Sequence, residues 1–189
     1  MLQYFIIYKP YGVISQFSPE GEHVTLASLG DFPKDVYPVG RLDTDSEGLL
    51  LLTNDKSLNQ LLLHPSKAHE RTYWVQVEGA ITDEALEKLS KGVEISIDGK
   101  KHFTAPAKAI LLEKVTLPER NPPIRFRKNV PTSWISLSLT EGKNRQVRRM
   151  TAAVGFPTLR LVRAQFAKLK IEGMKVGEVR EITLNDNLL

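Results

Sequence analysis

GRLDTDSEGLLLLTND, residues 40–55, joins a glycine-bounded loop rich in carboxylates to a run of four leucines. A short continuous apolar run of this kind is typical of a strand that is buried on both faces. The acids that precede it, Asp43, Asp45 and Glu47, are therefore attached directly to a core strand. We expect such carboxylates to be held in position, whereas the acids of ordinary surface loops are mobile.

Three interpretations of this acidic loop compete. As a calcium loop, it would follow the EF-hand pattern, but Glu47 stands where that pattern has Asp or Asn, and Asn54 stands where it has a bidentate Glu. As a structural hairpin, it would carry solvated acids ahead of a core strand. As a catalytic loop, it would use one carboxylate to attack or polarise a substrate. The loop by itself leaves the last two interpretations open.

Length and composition exclude several classes of protein. A chain of 189 residues fits one domain and can bury a core large enough to house a site. No run approaches the roughly 18 apolar residues of a membrane span, and the first residues do not form a basic signal region, so we expect a cytoplasmic protein. The sequence has no cysteine, and its four histidines form no HExxH pattern. We therefore expect no disulfide, no thiol nucleophile and no metal centre.

Charge is divided unevenly along the chain. Residues 1–100 hold nine Lys and Arg against fifteen Asp and Glu, whereas residues 101–189 hold seventeen against seven. The segment 142–171 contains no acid and eight bases, which are Lys143, Arg145, Arg148, Arg149, Arg160, Arg163, Lys168 and Lys170. A polyanion is the expected partner of such a segment. The alternative is a solvated basic face that binds nothing.

Periodicity and turn residues predict an α+β domain. Residues 4–8 are typical of a strand that Pro10 stops, and residues 57–63 of a short helix. A second helix should begin after the cap Thr82 and end before Gly92. Residues 72–77 are rich in strand formers, and 135–139 alternate between apolar and polar residues. Scattered strands without regular strand–helix alternation favour a mostly antiparallel sheet.

Residues 145–154, RQVRRMTAAV, predict a helix with two different faces. At 3.6 residues per turn, Arg145, Arg148 and Arg149 share one face. The opposite face is expected to hold Val147, Met150, Thr151 and Val154. Packing the apolar face would present the arginines to phosphates, and one arginine could also fix a catalytic carboxylate through a bidentate pair.

The acidic loop and the basic helix, together with two shorter motifs, resemble the RsuA-type ribosomal RNA pseudouridine synthases. The matching segments run the length of the chain: KPYGV at 9–13, residues 40–55, Tyr73, and EGKNRQVRRM at 141–150. RNPPIR at 120–125, PTSW at 131–134 and the pair Asn144-Arg145 are nearest the members that act on large-subunit ribosomal RNA. The resemblance implies a mixed, largely antiparallel central sheet with a cleft. It also implies one catalytic domain over residues 1–189, undivided or in two lobes, without a separate N-terminal RNA-binding module.

The same resemblance implies a reaction that needs no cofactor and no metal. A uridine in RNA is flipped into a pocket, detached from its ribose carbon, turned, and rejoined through a ring carbon as pseudouridine. Asp43 matches the essential aspartate, Tyr73 the tyrosine that stacks on the target base, and Arg148 the arginine that pairs with the acid. Arg41 matches the residue that fills the space left by the base, and Leu161 an apolar residue that packs against it. Further RNA contacts are expected from Lys143, Arg145, Arg149, Arg160 and Arg163.

The sequence departs from the family pattern at three positions outside this catalytic set. Arg71 stands where many relatives have Lys, and Lys143 where Arg is common, so both positions keep their charge. Ala167 stands where glycine is frequent, which puts a late turn in doubt. None of the three replaces Asp43, so the chain shows no sign of a dead enzyme.

Two other functions stay open beside the synthase. An RNA-binding ribosome-assembly factor would use the basic face without chemistry. A nucleoside or sugar hydrolase would use Asp43 with Asp45 or Glu47, and the basic helix would then have no clear purpose. On either RNA-based hypothesis the expected partner is large-subunit ribosomal RNA, with no membrane, and the protein is expected to be a monomer.

Overall fold

The computed structural model describes residues 1–67, 69–125 and 127–184. The strands are β1 (Tyr4–Lys9), β2 (Val13–Ile14), β3 (Val24–Thr25), β4 (Tyr37–Pro38), β5 (Glu47–Thr53), β6 (Arg71–Glu78), β7 (Glu94–Ile97), β8 (Lys100–Phe103), β9 (Lys108–Leu112), β10 (Thr132–Leu139), β11 (Thr158–Phe166), β12 (Leu169–Lys170) and β13 (Val179–Ile182). The α-helices are α1 (Lys56–Leu63), α2 (Asp83–Lys91) and α3 (Gln146–Ala153), with 3₁₀ turns at Leu26–Leu29 and Pro65–Lys67.

Backbone contacts divide the chain into two compact units. Unit 1 combines Met1–His69 with Val162–Leu189, and unit 2 is Glu70–Leu161. The chain therefore leaves unit 1 after His69 and returns to it inside β11. Among the described residues, no helix is long and apolar enough to cross a membrane.

Strand β5 is the centre of unit 1. It pairs antiparallel with β1 on one side and parallel with β11 on the other, and its C-terminal end also pairs with β4. All seven of its residues are buried, including the four leucines. A strand buried on both faces is what a continuous apolar run predicts, so the expectation for residues 49–52 is confirmed. Strand β13 extends this arrangement beyond β1.

The second residue of β5, Gly48, has to be a glycine for two reasons. Its φ is +108°, a region that side chains with a Cβ rarely adopt. A Cβ at this position would also lie 2.4 Å from the carbonyl oxygen of Arg163 and 2.6 Å from its nitrogen. The parallel register Arg163↔Gly48 therefore depends on the missing side chain.

The residues directly after β5 have structural roles. Asn54 accepts a hydrogen bond from Gln3 N (2.9 Å) through Oδ1 and donates one to Asp35 Oδ2 (2.9 Å). Asp55 caps α1 by accepting from two backbone N–H groups, and it also accepts from the Tyr4 hydroxyl at 3.0 Å. Burial and the neighbouring Asp55 raise the pKa of Tyr4. The end of the 40–55 motif therefore starts α1 and does not complete a calcium loop.

Unit 2 is built on the antiparallel strands β6, β10 and β9. Ile135, Leu137 and Leu139 of β10 are buried, which confirms the predicted alternation. Helix α2 begins after Thr82, whose hydroxyl accepts from Ala85 N at 3.2 Å, and it ends at Gly92 as predicted. Strands β7 and β8 form a hairpin that the sequence pattern did not predict.

The mixed, mostly antiparallel fold class is confirmed, but two local features differ from expectation. Arg145 lies before α3 with φ +51°, so only Arg148 and Arg149 belong to the helix. Ala167 has φ +50° in the two-residue turn between β11 and β12. This left-handed conformation is one that glycine adopts without steric cost, and it gives a physical reason for the glycine that is frequent in relatives.

Candidate catalytic and RNA-binding residues

Asp43 lies on a turn that is fixed by hydrogen bonds on both sides. The carbonyl of Asp43 accepts from Ser46 N (3.0 Å), and the next carbonyl, of Thr44, accepts from Gly12 N (2.8 Å). The preceding residue, Leu42, is buried, and its N–H and C=O both bond to the hydroxyl of Ser15, at 3.0 and 2.8 Å. Asp43 itself is exposed. Residues 40–47, which we call the acid loop, thus present this carboxylate from a rigid support.

A buried cation lies next to the acid loop. Lys9 is 0% exposed, and its Nζ donates to the carbonyls of Val13 (2.6 Å) and Pro10 (2.9 Å). Burial lowers the pKa of Lys9 to about 8, an effect that the negative charges of Glu47, Asp45 and Asp43 oppose. The acid loop and Lys9 are therefore coupled electrostatically.

Glu47 and Arg163 complete the buried charges of unit 1. They are 2% and 3% exposed. The Nε of Arg163 donates to Leu49 O at 2.8 Å, and its guanidinium carbon lies 5.2 Å from the centre of the Phe166 ring. Arg163 is thus an internal residue of the β5–β11 pairing, although its sequence context predicted a phosphate contact. Glu47 is the first residue of β5 and lies within its buried part.

The side chain of Arg41 is exposed at the start of the acid loop. Its Nη2 lies 3.4 Å from Oε1 of Gln16, a long contact between exposed groups that contributes little rigidity. An exposed arginine two residues before Asp43 is free to change its rotamer, as a residue that enters RNA must.

In unit 2, residues 141–145 form a basic loop that is held by side-chain hydrogen bonds. The buried Gln146 accepts from Lys143 N (2.9 Å) and donates to Glu141 Oε1 (2.6 Å). The Glu141 carboxylate also accepts from Ala105 N (2.8 Å) and lies 3.2 Å from Nε2 of His102. Lys143, between these two clamping residues, is exposed. The basic loop is therefore an ordered support for exposed cations.

Arg145 and Arg149 differ in what they can offer to RNA. Arg145 is exposed. Arg149 donates to the Asn144 carbonyl (3.0 Å), to Asn144 Oδ1 (3.3 Å) and to the carbonyl of Ser96. It thereby joins the basic loop to the β7–β8 hairpin. That Arg149 also contacts a phosphate stays a prediction. Such a contact would be additional to its structural role.

The remaining predicted residues of unit 2 range from half-buried to buried. Tyr73 lies opposite Leu137 in the β6–β10 register and packs half-buried against the apolar cluster of the unit, to which the buried Leu161 belongs. Arg148 is half-buried on α3. Arg160 is 4% exposed and its Nη1 donates to Pro118 O at 2.9 Å. Burial of this kind favours a structural role for Arg160 over the predicted RNA contact.

The predicted residues thus divide between the two units. Arg41, Asp43 and Arg163 lie in unit 1. The others lie in unit 2: Tyr73, Lys143, Arg145, Arg148, Arg149, Arg160 and Leu161. The sequence predicted no structural role for Ser15, Glu141 and Gln146, which hold the loops by hydrogen bonds, or for Lys9, which is buried next to the acid loop. Lys9 lies in the KPYGV motif and Glu141 and Gln146 lie in the EGKNRQVRRM motif, whereas Ser15 lies in neither.

Comparison with known proteins identifies the class to which this arrangement belongs. The family model described as RNA pseudouridylate synthase matches residues 3–153. The chain belongs to that family, and it is an enzyme of the isomerase class. The α+β fold agrees, because a solved pseudouridylate synthase superimposes with a TM-score of 0.79 and 27% identity over 97% of this chain and 71% of that one.

Within the family, the chain is similar to particular curated relatives. The ribosomal large subunit pseudouridine synthase E of Vibrio parahaemolyticus is 49% identical over 95% of this chain and 73% of its own length. The synthase E of Xanthomonas axonopodis is 50% identical over 89% of this chain and 88% of its own length. The ribosomal large subunit pseudouridine synthase B of Bacillus subtilis is 41% identical over 95% and 68%. The predicted likeness to the large-subunit group is confirmed, and synthase E is the relative at 49–50% identity.

Proposed function

We propose that this protein converts one uridine of large-subunit ribosomal RNA to pseudouridine, and that Asp43 is the essential carboxylate. The observation that carries the proposal is that Asp43 is exposed on a turn that is held in place by the hydroxyl of Ser15 and by backbone hydrogen bonds. The family supplies the reaction. The names of the relatives supply the ribosomal large subunit as the source of the RNA.

The chemistry needs only one carboxylate. The bond between the ribose carbon and the uracil nitrogen breaks, a bond from the same ribose carbon to a ring carbon forms, and the proton of that ring carbon is released while the freed nitrogen gains one. The atoms of substrate and product are the same, so no co-reactant enters. A glycosidase generally uses a second carboxyl group to activate water, whereas here the departing base itself returns.

Tyr73 and Arg148 complete the proposed catalytic set. A half-buried tyrosine on a paired strand offers a fixed aromatic surface for the target base. Arg148 is supported by α3, whose buried residues include Val147 and Met150. Leu161 is proposed as an apolar neighbour of the base, and Arg41 as the side chain that occupies the space the base leaves.

RNA binding is proposed to rest on the exposed cations of the basic loop. Lys143 and Arg145 are exposed and carried by an ordered backbone, as phosphate contacts require. Arg149, Arg160 and Arg163 are kept as secondary candidates because protein groups already hold their guanidiniums. A monomer that works in the cytoplasm, with one catalytic domain over residues 1–189, is part of the same proposal.

The test is an isomerisation assay on unmodified large-subunit ribosomal RNA, with Asp43→Asn compared with wild type. Pseudouridine is mapped by carbodiimide-dependent stops of reverse transcription, and RNA affinity is measured in parallel. Glu22→Gln, which neutralises an exposed acid in another loop of unit 1, is the matched control. Wild type and Glu22→Gln should give one new stop, and Asp43→Asn none, while its RNA affinity stays within about threefold of wild type.

Three outcomes would overturn the proposal. A stop that persists with Asp43→Asn would remove the carboxylate from the chemistry. Tight RNA binding without a stop, on naked RNA and on ribosomal precursor particles alike, would favour the assembly-factor hypothesis. Release of free uracil would favour the hydrolase.

A further inference from the structure

Unit 1 contains an open groove beside Arg41. Its volume is about 430 Å³, and its walls, which are mainly apolar, include Phe17, Tyr37, Pro38 and Leu63. Tyr37 and Leu63 are 58% and 43% exposed, although both are large apolar side chains. Exposed apolar surface grouped in a groove marks a binding site more often than isolated exposed residues do.

The groove is fixed to the acid loop. Arg41 lines it and lies two residues before Asp43, so their Cα atoms are at most about 7 Å apart. Ser15 also lines the groove, and its hydroxyl holds both backbone groups of Leu42. A strand of RNA that places a uridine at Asp43 therefore brings a neighbouring nucleotide within reach of the groove.

The chemistry of the walls matches an unpaired base. Flipping a uridine removes a stacking partner from the neighbouring base, and proteins commonly receive unstacked bases on exposed aromatic rings. Each of two adjoining cavities has an exposed cation: Arg41 lines this groove, and Lys34, with Asp31, lines a cavity of about 470 Å³ that shares Phe17 and Tyr37 with it. Such cations complement the phosphates that flank a bound base.

We propose that this groove binds an unpaired base next to the target uridine, with Tyr37 as the stacking surface. The inference rests on the proposed role of Asp43, because that role brings the RNA to the acid loop. It assigns to residues 16–18 and 37–41 a part in choosing which uridine is modified, since the groove adds contacts to a nucleotide other than the one that reacts.

The experiment uses an RNA hairpin that carries the mapped uridine and has 2-aminopurine at each flanking position in turn. An unstacked 2-aminopurine emits strongly, whereas stacking on an aromatic ring quenches it. Wild type is compared with Tyr37→Ala and with Phe103→Ala, which removes an exposed aromatic ring from β8 in unit 2. At one flanking position, the complex with Tyr37→Ala should be brighter than the complexes with wild type and Phe103→Ala. Its KM should rise about tenfold with kcat unchanged.

Ser18→Trp provides a second variant that keeps the tyrosine. Ser18 is exposed and lines the groove, so the new side chain fills the site without removing a wall. It should raise KM as Tyr37→Ala does, with an unchanged melting temperature. The inference would be overturned if Tyr37→Ala and Ser18→Trp both had the fluorescence and the KM of Phe103→Ala. The proposed function is tested by a different measurement, the turnover of Asp43→Asn. Turnover by this variant would contradict the proposed function whatever the fluorescence shows.

Discussion

The acid loop and the basic loop both hold exposed charges in place with buried polar side chains, but the buried groups differ in kind. Next to the acid loop lies Lys9, an ionisable amine that is 0% exposed. Beside the basic loop lies Gln146, a neutral amide that is 3% exposed and bonded to Glu141. An amine with a pKa of about 8 therefore lies next to one loop and is coupled to its acids, whereas the amide that holds the other loop does not titrate.

The two loops also lead into different elements of secondary structure. The acid loop runs into β5, a strand paired on both sides, whereas the basic loop runs into α3, an eight-residue helix. A strand inside a sheet cannot shift without breaking two sets of hydrogen bonds. The position of Asp43 should accordingly depend on the tertiary fold of unit 1, and that of Lys143 on a few local contacts.

Gly48→Ala should give the largest effect, because it breaks the strand that supports the acid loop. The new Cβ would lie 2.4 Å from a backbone oxygen of Arg163, and φ would remain at +108°. We expect a loss of more than about 4 kcal/mol in the free energy of unfolding, measured by urea denaturation. Gly173→Ala is the control, since Gly173 also has a positive φ (+72°) but no atom within 4 Å of the added Cβ.

The control should cost only about 1 kcal/mol, the penalty for placing alanine in a left-handed conformation. Equal losses for the two variants would show that backbone conformation, and not the close approach of β11, makes Gly48 necessary. The acid loop would then be less dependent on the sheet than the comparison implies.

Lys9 should make the stability of unit 1 depend on alkaline pH. Its pKa is about 8 in the folded protein against an ordinary value of 10.5, so folding favours the neutral amine. Between these two pH values the unfolded chain binds more protons than the folded one, so the free energy of unfolding rises with pH. The full contribution is about 3 kcal/mol, and it is absent below pH 8, where both states are protonated.

Lys9→Met should remove this rise, and Lys168→Met, at an exposed lysine, should keep it. Urea titrations from pH 7 to pH 10.5 measure the difference in slope between each variant and wild type. Identical slopes for Lys9→Met and wild type would show that folding does not lower the pKa of Lys9. The contrast between an ionisable and a neutral support would then be lost.

Local periodicity explains how much of the fold could be predicted. The leucine run of β5, the cap of α2 and the alternation in β10 are each encoded within a few residues, and the structure confirms them. The pairing of β5 with β11 joins residues more than a hundred positions apart, so no local pattern reports it. The hydrogen bonds between Ser15 and Leu42 join residues that are 27 positions apart, so no local pattern reports them either.

For the candidate site, the sequence predicted the exposure of some residues correctly and that of others wrongly. Asp43 and Lys143 have the exposure that their motifs suggested. The resemblance predicts RNA contacts for Arg160 and Arg163, but protein carbonyls hold their guanidiniums in the interior. Arg145 is the N-cap of α3 and has a left-handed backbone conformation. Arginine seldom adopts this conformation, so the sequence did not predict it.

Gln146→Glu should release the basic loop. The new carboxylate cannot donate to Glu141, which lies 2.6 Å from the amide nitrogen in the native protein, and the two acids would repel. We expect a loss of about 2 kcal/mol in stability and a rise of about tenfold in the Kd for RNA, because Lys143 and Arg145 lose their support. Filter binding at constant salt measures the affinity.

Gln60→Glu, on the exposed face of α1, adds the same negative charge elsewhere and controls for a general loss of RNA attraction. Equal Kd values for the two variants would mean that net charge, and not the geometry of the basic loop, sets the affinity. In that case the basic loop would not need the neutral support that distinguishes it from the acid loop.

Ser15→Ala should have the smallest effect on stability and a clear effect on the reaction. The substitution leaves the N–H and C=O of the buried Leu42 without the hydroxyl that holds them, at a cost of about 1 kcal/mol. Because Leu42 precedes Asp43, kcat should fall about tenfold while KM stays unchanged. Ser28→Ala removes an exposed hydroxyl that bonds to Thr25 O (2.8 Å) and should alter neither constant. An unchanged kcat in Ser15→Ala would show that β5 and the backbone bonds of the turn suffice to hold Asp43. The acid loop would then owe its rigidity to backbone hydrogen bonds alone, unlike the basic loop, which depends on the amide of Gln146.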